Sequence, residues 1–227
     1  MSYAFTGQYA GAIRNGFLKS HGITVVHVVS SSKFARKCEE AGVDAIVAEG
    51  FEAGGHNGRE ETTTLCLIPA VREATTLPLI AAGGIGTGEA IFALMALGAE
   101  GVQMGTRFAL TDESSASDIF KEYCLRLNEG DTKLLLKKLA PTRLVINSFR
   151  DRVEAAEGRG ASAEELRELL GRGRAKKGIF EGDLEEGELE IGQVAALFRR
   201  RQSVDEVMKE LLEGYRRASD KIRSAGL

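Results

Sequence analysis

The sequence is poor in proline and cysteine, and it lacks both long apolar runs and an excess of one charge. The 3 cysteines are scattered without a CxxC pair, which argues against a disulfide scaffold and a zinc site and favours a reducing, cytoplasmic compartment; no metal is expected. Apolar stretches such as 23–29 and 91–97 are far shorter than the roughly 20 residues of a membrane-spanning helix. Polar residues interrupt positions 1–16, so we expect no signal peptide.

The charge balance argues against two classes of partner. The 227 residues include 30 basic and 33 acidic ones, a net charge of −3, which gives no electrostatic footprint for nucleic acid or for an anionic membrane. With 43% hydrophobic and 28% charged positions, the chain has the composition of one or two globular domains with a sizeable core.

Short apolar runs alternate with helical patterns in the first half of the chain. The predicted strands, each buried on both faces, are 23–29, 45–48, 79–82 and 102–104. The predicted helices between them are 33–41, 65–75 and 88–97. A strand, helix, strand rhythm of roughly 20 to 35 residues is typical of a parallel sheet, so the sequence predicts an α/β fold.

The second half, after Phe108, is predicted to be mostly helical. Two helix starts fit the S-x-x-E capping box, one at 162–165 and one at 203–206. One helical stripe after the second box is predicted to pack in the core rather than to form a partner groove, and it contains Val204, Val207, Met208, Leu211, Leu212 and Tyr215. The basic, glycine-containing stretch 171–178 is interpreted as a solvated loop rather than a phosphate site.

Glycine is abundant, with 27 residues against 3 prolines, and three glycine turns follow predicted strands, at 49–58, 81–88 and 103–107. Ligands bind beyond the carboxyl ends of parallel strands, and turns without Cβ atoms let an anionic group approach backbone N–H groups. One such turn would indicate turn geometry alone, whereas three in succession favour a phosphate-bearing cofactor. The GGxGxG spacing of the second turn does not fit a Rossmann GxGxxG motif.

His56 is the main candidate for proton chemistry, because it lies among glycines on a loop after a strand and imidazole titrates near neutral pH. A lone histidine is more often structural than catalytic, but the position of His56 on the ligand-binding edge favours the catalytic interpretation. His21 and His27 lack that setting and are assigned to structure. Glu49 and Glu52 are close enough in sequence to orient His56 or to bind a hydroxyl, which is weak support for acid and base chemistry.

Three segments carry a specific family resemblance: AGVDAIVAEGFEAGGHNG at 41–58, PLIAAGGIGTG at 78–88 and GAEGVQMGTRF at 98–108. Together they resemble the FMN-dependent nitronate monooxygenases, formerly called 2-nitropropane dioxygenases, which share their fold with FMN-dependent enoyl-acyl-carrier-protein reductases. Weaker similarity runs through KSHGITVVHVV, LAPTRLVIN and KGIFEGDLEEGELEIGQVAALF, so the resemblance covers nearly everything after residue 19.

The resemblance implies an FMN site. Gly50 and Gly55 would border the flavin, and His56 would be the active-site histidine near flavin and substrate. Gly83 would also bind the cofactor, and the residues implied to hold the flavin phosphate are Gly84, Gln103, Met104, Gly105 and Thr106.

The resemblance also implies a reaction on a small-molecule substrate. In a nitronate monooxygenase the nitronate gives an electron to FMN, the reduced flavin reacts with oxygen, and a carbonyl compound and nitrite are formed. In the related reductases a hydride passes from NAD(P)H through FMN to an enoyl thioester. We favour the monooxygenase because EGFEAGGHNG and EGDLEEGELEIGQ look more like that group. The alternatives are the reductase, an inactive half-barrel that binds a phosphate ligand or a partner chain, and a phosphate-sugar isomerase or synthase.

The chain offers only part of the family fold. The family forms an eight-stranded β/α barrel with a helical insertion, and such a barrel typically needs about 250 residues, whereas four βα units are predicted here. We therefore expect a partial TIM-type barrel at 19–110, an atypical amino-terminal segment at 1–18 and a helical segment at 111–227. The family's glutamine on an early strand, which faces the flavin, has no counterpart.

Four parallel strands leave two open edges and a partly uncovered inner face. To that face we assign Val26, Val28, Ile46, Ile80, Val102 and their neighbours, depending on the direction in which each strand alternates. Open edges and apolar faces promote association. We therefore expect a homo-oligomer, most simply a twofold pair of half-barrels, unless the helical half covers the open side.

Overall fold

The computed structural model describes residues 3–6 and 12–226, which form a parallel sheet with helices and a small antiparallel sheet. The strands are β1 (Tyr3–Thr6), β2 (Thr24–Val29), β3 (Ala45–Glu49), β4 (Gly55–His56), β5 (Leu79–Ala82), β6 (Gly101–Gln103), β7 (Thr132–Leu135) and β8 (Thr142–Val145). The helices are α1 (Ala12–Ser20), α2 (Ser32–Glu40), α3 (Thr64–Arg72), α4 (Gly88–Ala96), α5 (Thr106–Ala109), α6 (Asp118–Cys124), α7 (Ser148–Gly158), α8 (Ala163–Leu170), α9 (Arg174–Ile179), a 3₁₀ helix (Gln193–Leu197) and α10 (Val204–Ser224).

The parallel sheet has the strand order β1-β2-β3-β5-β6, so its strands lie side by side in the order in which the chain forms them. All four strand pairs are parallel, and the register places Val26 beside Ala45 and Ile46 beside Leu79. A doubly wound sheet reverses its strand order at a switch point, whereas a β/α barrel does not. The four predicted strands are therefore confirmed, and with them the α/β class and the partial barrel.

The structure differs from the expectation of an atypical segment at 1–18. Tyr3–Thr6 is a strand that pairs in parallel with β2, and Ala12–Ser20 is a helix, so this segment supplies a fifth βα unit. Residues 1–2 and 7–11 of the segment lie outside the described residues. The sequence pattern does not reveal this strand, because it is only four residues long and carries a tyrosine and a threonine, both of which favour strands without forming an apolar run.

The two faces of the parallel sheet carry separate apolar clusters. The larger cluster joins the sheet to helix residues, and its strand members include Val25, Val29, Ile46, Ala48, Leu79, Ala81 and Val102. The smaller cluster lies on the inner face and contains Val26, Ala45, Val47 and Ala82, with Val28 and Ile80 partly buried. Side chains alternate along a strand. The assignment of Ile46 and Val102 to the inner face was therefore wrong, because both pack in the larger cluster.

The segment 111–227 is not wholly helical, as we had expected it to be. The antiparallel strands β7 and β8 form a hairpin within it, and β4 adds to the other side of β8. In β8 the buried Arg143 interrupts the apolar pattern, and its guanidinium donates a 2.6 Å hydrogen bond to the Phe51 carbonyl. The small sheet thus joins the second half of the chain to the loop that carries His56.

Both predicted capping boxes are present, at Ser162 with Glu165 and at Ser203 with Glu206. The stripe on α10 is only partly in the core, since two of its residues, Met208 and Leu212, are 43% and 51% exposed. The stretch 171–178 is not a loop throughout, because α9 occupies much of it.

Helix α4 begins in direct contact with α10. An ideal Cβ at Gly88 would lie 2.1 Å from the Leu211 carbonyl oxygen and 2.2 Å from the Tyr215 nitrogen. Only glycine permits this approach, which fixes the end of the second glycine turn against the long helix. No helix in the part of the chain that the structure describes is long and apolar enough to cross a membrane.

Candidate functional site

Three adjacent strands of the parallel sheet, β3, β5 and β6, end in the three glycine turns. The first two turns are hydrogen-bonded to each other, since the Gly50 N–H donates a 2.9 Å hydrogen bond to the Ala82 carbonyl. Gly83 and Gly84 have φ angles of 90° and 68°, in the left-handed region that glycine adopts at little cost. The turns therefore form one continuous edge beyond the carboxyl ends of the strands, where parallel α/β folds bind ligands.

These turns enclose a cavity of about 240 Å³, here called the glycine cavity. Its wall includes Gly83 and every residue predicted to hold the phosphate, namely Gly84, Gln103, Met104, Gly105 and Thr106. An ideal Cβ at Gly105 would meet no atom within 4 Å, so Gly105 borders open space. An ideal Cβ at Gly84 would lie 3.1 Å from the Glu52 Cβ, so Gly84 is packed more tightly.

Gly50 and Gly55 are placed differently from the phosphate residues. An ideal Cβ at Gly50 would lie 2.1 Å from the Thr64 Oγ1, and one at Gly55 would lie 3.1 Å from a carboxylate oxygen of Glu190. Neither glycine lines the glycine cavity. Both positions let another segment of the chain approach closely, and their contact with a flavin stays a prediction.

Thr64, the first residue of α3, is hydrogen-bonded to both of the first two glycine turns. Its hydroxyl lies 2.8 Å from the Gly83 carbonyl oxygen, and its backbone N–H donates 3.0 Å hydrogen bonds to the Glu52 carboxylate. Thr64 is only 5% exposed, so these bonds are shielded from water. Glu52 therefore anchors the start of α3 rather than orienting His56.

A second cavity, of about 520 Å³, lies beside His56 and is here called the His56 cavity. Its wall consists of Val28, Val29, Ser30, Glu49, His56, Asn57, Gly58, Arg59, Leu139, Ala140 and Pro141. The His56 side chain is exposed, and its backbone is held by pairing with Thr142 in β8. The next residue is buried: the Asn57 N–H donates a 2.7 Å hydrogen bond to the Pro141 carbonyl, and the Asn57 side-chain amide donates a 2.9 Å bond to the Gly55 carbonyl.

Three acidic side chains surround this region in a setting that disfavours their charged form. Burial raises the pKa of Glu49 to about 7. Burial, with a smaller effect of the neighbouring Glu190, raises the pKa of Glu188 to about 7, and the nearby His56 opposes that rise. Burial also raises the pKa of Glu190. With a pKa of about 7, Glu49 and Glu188 can each exchange a proton near neutral pH.

The segment 188–193 closes the glycine cavity. Glu190, Ile191 and the following Val194 line its wall. The Gly192 N–H donates a 2.9 Å hydrogen bond to the Thr106 hydroxyl, and the Gln193 N–H donates a 3.0 Å bond to the Glu52 carbonyl. The segment therefore ties the first glycine turn to the third.

The structure brings His56 and the predicted phosphate residues to one edge of the fold, and it adds residues that the sequence did not identify as site members. Glu188 and Glu190 lie in the acidic run that contributed to the resemblance, where nothing in the local pattern distinguishes a buried carboxyl from a solvated one. The sequence places Glu49 near His56. That its side chain lies on the inner face of the sheet follows only from its position in β3.

The remaining histidines and the cysteines lie away from both cavities. His27 is buried in β2, and the exposed His21 has its Nδ1 2.8 Å from the Phe17 carbonyl oxygen. All three cysteines are free, with Cys66 exposed and the other two buried. Within residues 3–6 and 12–226 no group of three or more His, Cys, Asp or Glu is placed to hold a metal ion.

Comparison with known proteins identifies the family. The family model described as nitronate monooxygenase matches residues 5–214. The chain belongs to the nitronate monooxygenase family. The resemblance carried by the three glycine-containing segments is thus confirmed.

Individual relatives of this nitronate monooxygenase family member are similar over part of their length. A probable nitronate monooxygenase of Staphylococcus aureus is 38% identical over 152 residues, which cover 62% of this chain and 42% of the relative. A 5-hydroxy-7a-methyl-1-oxo-octahydro-1H-indene-4-carboxyl-CoA dehydrogenase of Rhodococcus jostii is 38% identical over 143 residues, 63% of this chain and 39% of the relative. The matched region thus spans about 40% of these curated relatives.

Two solved structures share the fold. FabK from Thermotoga maritima matches with a TM-score of 0.92 and 35% identity, over 99% of this chain and 71% of that one. The nitroalkane oxidase from Streptomyces ansochromogenes matches with a TM-score of 0.78 and 27% identity, over 98% of this chain and 66% of that one.

Proposed function

We propose that this chain holds FMN and a small substrate as part of a nitronate monooxygenase, which oxidises nitronates to carbonyl compounds and nitrite with O₂. One observation carries the proposal: the cavity lined by all the predicted phosphate residues adjoins, at Glu49, the cavity lined by His56. Membership of the nitronate monooxygenase family supports the same reaction.

The residues of the site fit FMN. The glycine cavity is open at Gly105, where no side chain fills the space, and its turn backbones can direct N–H groups at a phosphate. At about 240 Å³ this cavity is smaller than typical cofactor sites of roughly 300 to 1,000 Å³, so a bound cofactor would extend beyond it. The His56 cavity, which adjoins it at Glu49, offers that space.

Each group of residues would have a separate task. The glycine turns bind the phosphate, and segment 188–193 excludes water from the same side. His56 can hold or move a proton at an imidazole nitrogen, because its side chain is exposed on the wall of the larger cavity. When bound, FMN supplies the redox chemistry between nitronate and oxygen.

The first test is the colour of the purified protein. We expect flavin absorbance, either as isolated or after incubation with FMN, and nitrite release when a nitronate and O₂ are supplied. Protein that stays colourless after reconstitution would contradict the proposal and would favour an inactive half-barrel.

A second candidate function is the FMN-dependent reduction of an enoyl thioester. The structural match to FabK, with a TM-score of 0.92 against 0.78 for the nitroalkane oxidase, fits this alternative. Oxidation of NAD(P)H that depends on an enoyl thioester, without nitrite formation from nitronates, would select it.

A further inference from the structure

Glu49 occupies the junction between the two cavities. It is the final residue of β3 and has the same side-chain parity as Ala45 and Val47, which lie on the inner face of the sheet. Among the described residues it is the one that lines both the glycine cavity and the His56 cavity. A molecule that occupies both cavities would therefore lie against Glu49.

Among the residues that the structure describes, none gives the Glu49 carboxyl group a structural role. Glu52, three residues later, accepts hydrogen bonds from the N–H and hydroxyl of Thr64. In the part of the chain that the structure describes, no hydrogen bond or ion pair engages the carboxylate of Glu49, and burial is the single cause of its raised pKa. A partly buried acid that none of the described residues engages is available to a ligand.

Few charged groups face Glu49. The His56 cavity brings His56 and Arg59, both from the loop that includes β4, and the glycine cavity brings Glu190 from segment 188–193. The other residues that line the two cavities, from β2, β5, β6, α5 and 139–141, are uncharged. The proton on Glu49 therefore has a direct effect on the charge that a substrate meets at this junction.

We propose that Glu49 selects substrates by charge: its neutral acid donates a hydrogen bond to an anionic substrate oxygen, and its carboxylate repels that oxygen. The inference rests on the proposed function, because a nitronate carries its negative charge on such oxygens. It assigns Glu49 to the recognition of small oxyanions, whereas His56 handles the proton.

The charge state predicts a specific pH dependence. With a pKa of about 7, Glu49 is mostly neutral at pH 6 and mostly ionised at pH 8. If the neutral form alone binds an oxyanion, affinity falls about tenfold between these two pH values. A protonated His56 would change affinity in the same direction, so its contribution must be removed before that of Glu49 is measured.

Nitrate, a planar oxyanion that cannot react as a nitronate does, is a suitable probe. Calorimetric titrations at pH 6 and pH 8 should use His56→Asn as the parent, with Glu49→Gln added to it. Glu73→Gln serves as the matched control, since Glu73 is exposed at the end of α3 and lines neither cavity. We expect the parent and the control to bind nitrate about tenfold more weakly at pH 8, and the Glu49→Gln protein to bind it equally at both pH values.

Two results would overturn the proposal. The first is equal nitrate affinity of the His56→Asn parent at pH 6 and pH 8, which needs no Glu49 variant. The second is a pH dependence of nitrate affinity that Glu49→Gln leaves unchanged, which assigns the effect to another group such as Glu190. Glu49→Ala replaces Glu49→Gln if the latter fails to fold. In the wild type the KM for a nitronate should rise with pH while kcat does not follow it.

The experiments distinguish a failure of the proposed function from a failure of the role assigned to Glu49. Flavin absorbance and nitrite release are measured on the wild-type protein, and their absence there contradicts the proposed function alone. The nitrate titration measures binding heat and does not depend on turnover. If Glu49→Gln removes the pH dependence of nitrate affinity, the role of Glu49 is supported. If the pH dependence remains, that role is contradicted even in an active enzyme.

Discussion

The side chain of His56 is exposed on the wall of the larger cavity and is set on a loop whose next residue is firmly held. We expect His56→Ala to keep the flavin colour and to lose at least about tenfold in kcat/KM, the low end for a missing general acid or base. His21→Ala is the control, because His21 is exposed but lies outside both cavities. Unchanged kinetics with both nitronates and enoyl thioesters would make His56 structural.

Gly105 offers a clean test of the phosphate site. Its φ is −87° and no atom lies within 4 Å of an ideal Cβ, so Gly105→Leu should fold normally while its side chain fills the glycine cavity. We expect the variant to melt like the wild type and to bind no FMN. Gly158→Leu is the matched control, since Gly158 also has open space around its Cβ position but lies at the end of α7. Full retention of flavin by Gly105→Leu would remove the assignment.

Glu188 links the site to stability. Its pKa is raised from 4.5 to about 7, so between these pH values the folded chain holds a proton that the unfolded chain has released. The free energy of unfolding therefore falls as pH rises from about 4.5 to 7. Above pH 7 the loss of stability caused by Glu188 no longer grows. We expect Glu188→Gln to unfold like the wild type near pH 4 but to be more stable at pH 8, by about 3 kcal/mol.

Thermal melts at the two pH values provide the measurement for Glu188. Glu168→Gln is the control, because Glu168 is exposed on α8 and its carboxylate is solvated. Equal pH dependence in wild type and Glu188→Gln would show that the acid is not strained by burial.

For single residues of the candidate site, the sequence predicts those whose role depends on the local backbone conformation. It does not reveal those whose role depends on burial. Gly83, Gly84 and Gly105 stand in turns directly after apolar runs, so their place at the ligand edge follows from the strand prediction. The acid Glu190 belongs to a charged run, and only the tertiary fold decides that its carboxylate lies against Gly55. Desolvation has no local signature in a sequence.

Among the secondary-structure elements, the strands of the parallel sheet were the easiest to predict. Parallel strands covered on both sides are typically continuous apolar runs, and β3 and β5 come nearest to that form, while β2 is apolar apart from Thr24 and His27. The hairpin β7–β8 was missed because its short strands contain Lys133 and Arg143. The buried Arg143 is accommodated in β8 because its guanidinium donates a hydrogen bond to the Phe51 carbonyl, a contact between distant parts of the chain.

The contact between α4 and α10 gives a prediction for a whole helix. An added Cβ at Gly88 would overlap backbone atoms of α10, so Gly88→Ala should force the two helices apart and destabilise the protein by about 1 to 3 kcal/mol. Urea unfolding measures the change. Gly158→Ala is the control, because a Cβ there meets no atom within 4 Å and alanine favours helix, so it should be neutral or slightly stabilising. Equal stability of Gly88→Ala and the wild type would contradict this packing.

For the molecule as a whole, the open edges of the parallel sheet matter most. Within the described residues β1 and β6 each pair on one side only, whereas the inner face is better shielded than the sequence suggested, since Val47 is fully buried. Unpaired strand edges promote association. We expect self-association in sedimentation at micromolar concentration, increasing with protein concentration. A well-dispersed monomer with a cooperative melt would contradict this expectation.

The predicted division at residue 110 does not describe the site. The glycine turns come from 19–110, but Glu190, Ile191 and Val194 of the second half complete the wall of the glycine cavity. Such long-range closure is invisible to a pattern that considers neighbouring residues, which is why the second half was expected to be only a helical segment.

The bond between Thr106 and Gly192 joins residues 86 positions apart, and this separation has a consequence for biosynthesis. Contacts of that span form late, because the entropy of closing a long loop must be overcome before they contribute. A ribosome that has released the three glycine turns has therefore not yet produced a closed pocket. If FMN binds in this cavity as proposed, we expect its loading to wait until residue 193 has emerged and docked, so that folding precedes flavin binding during synthesis.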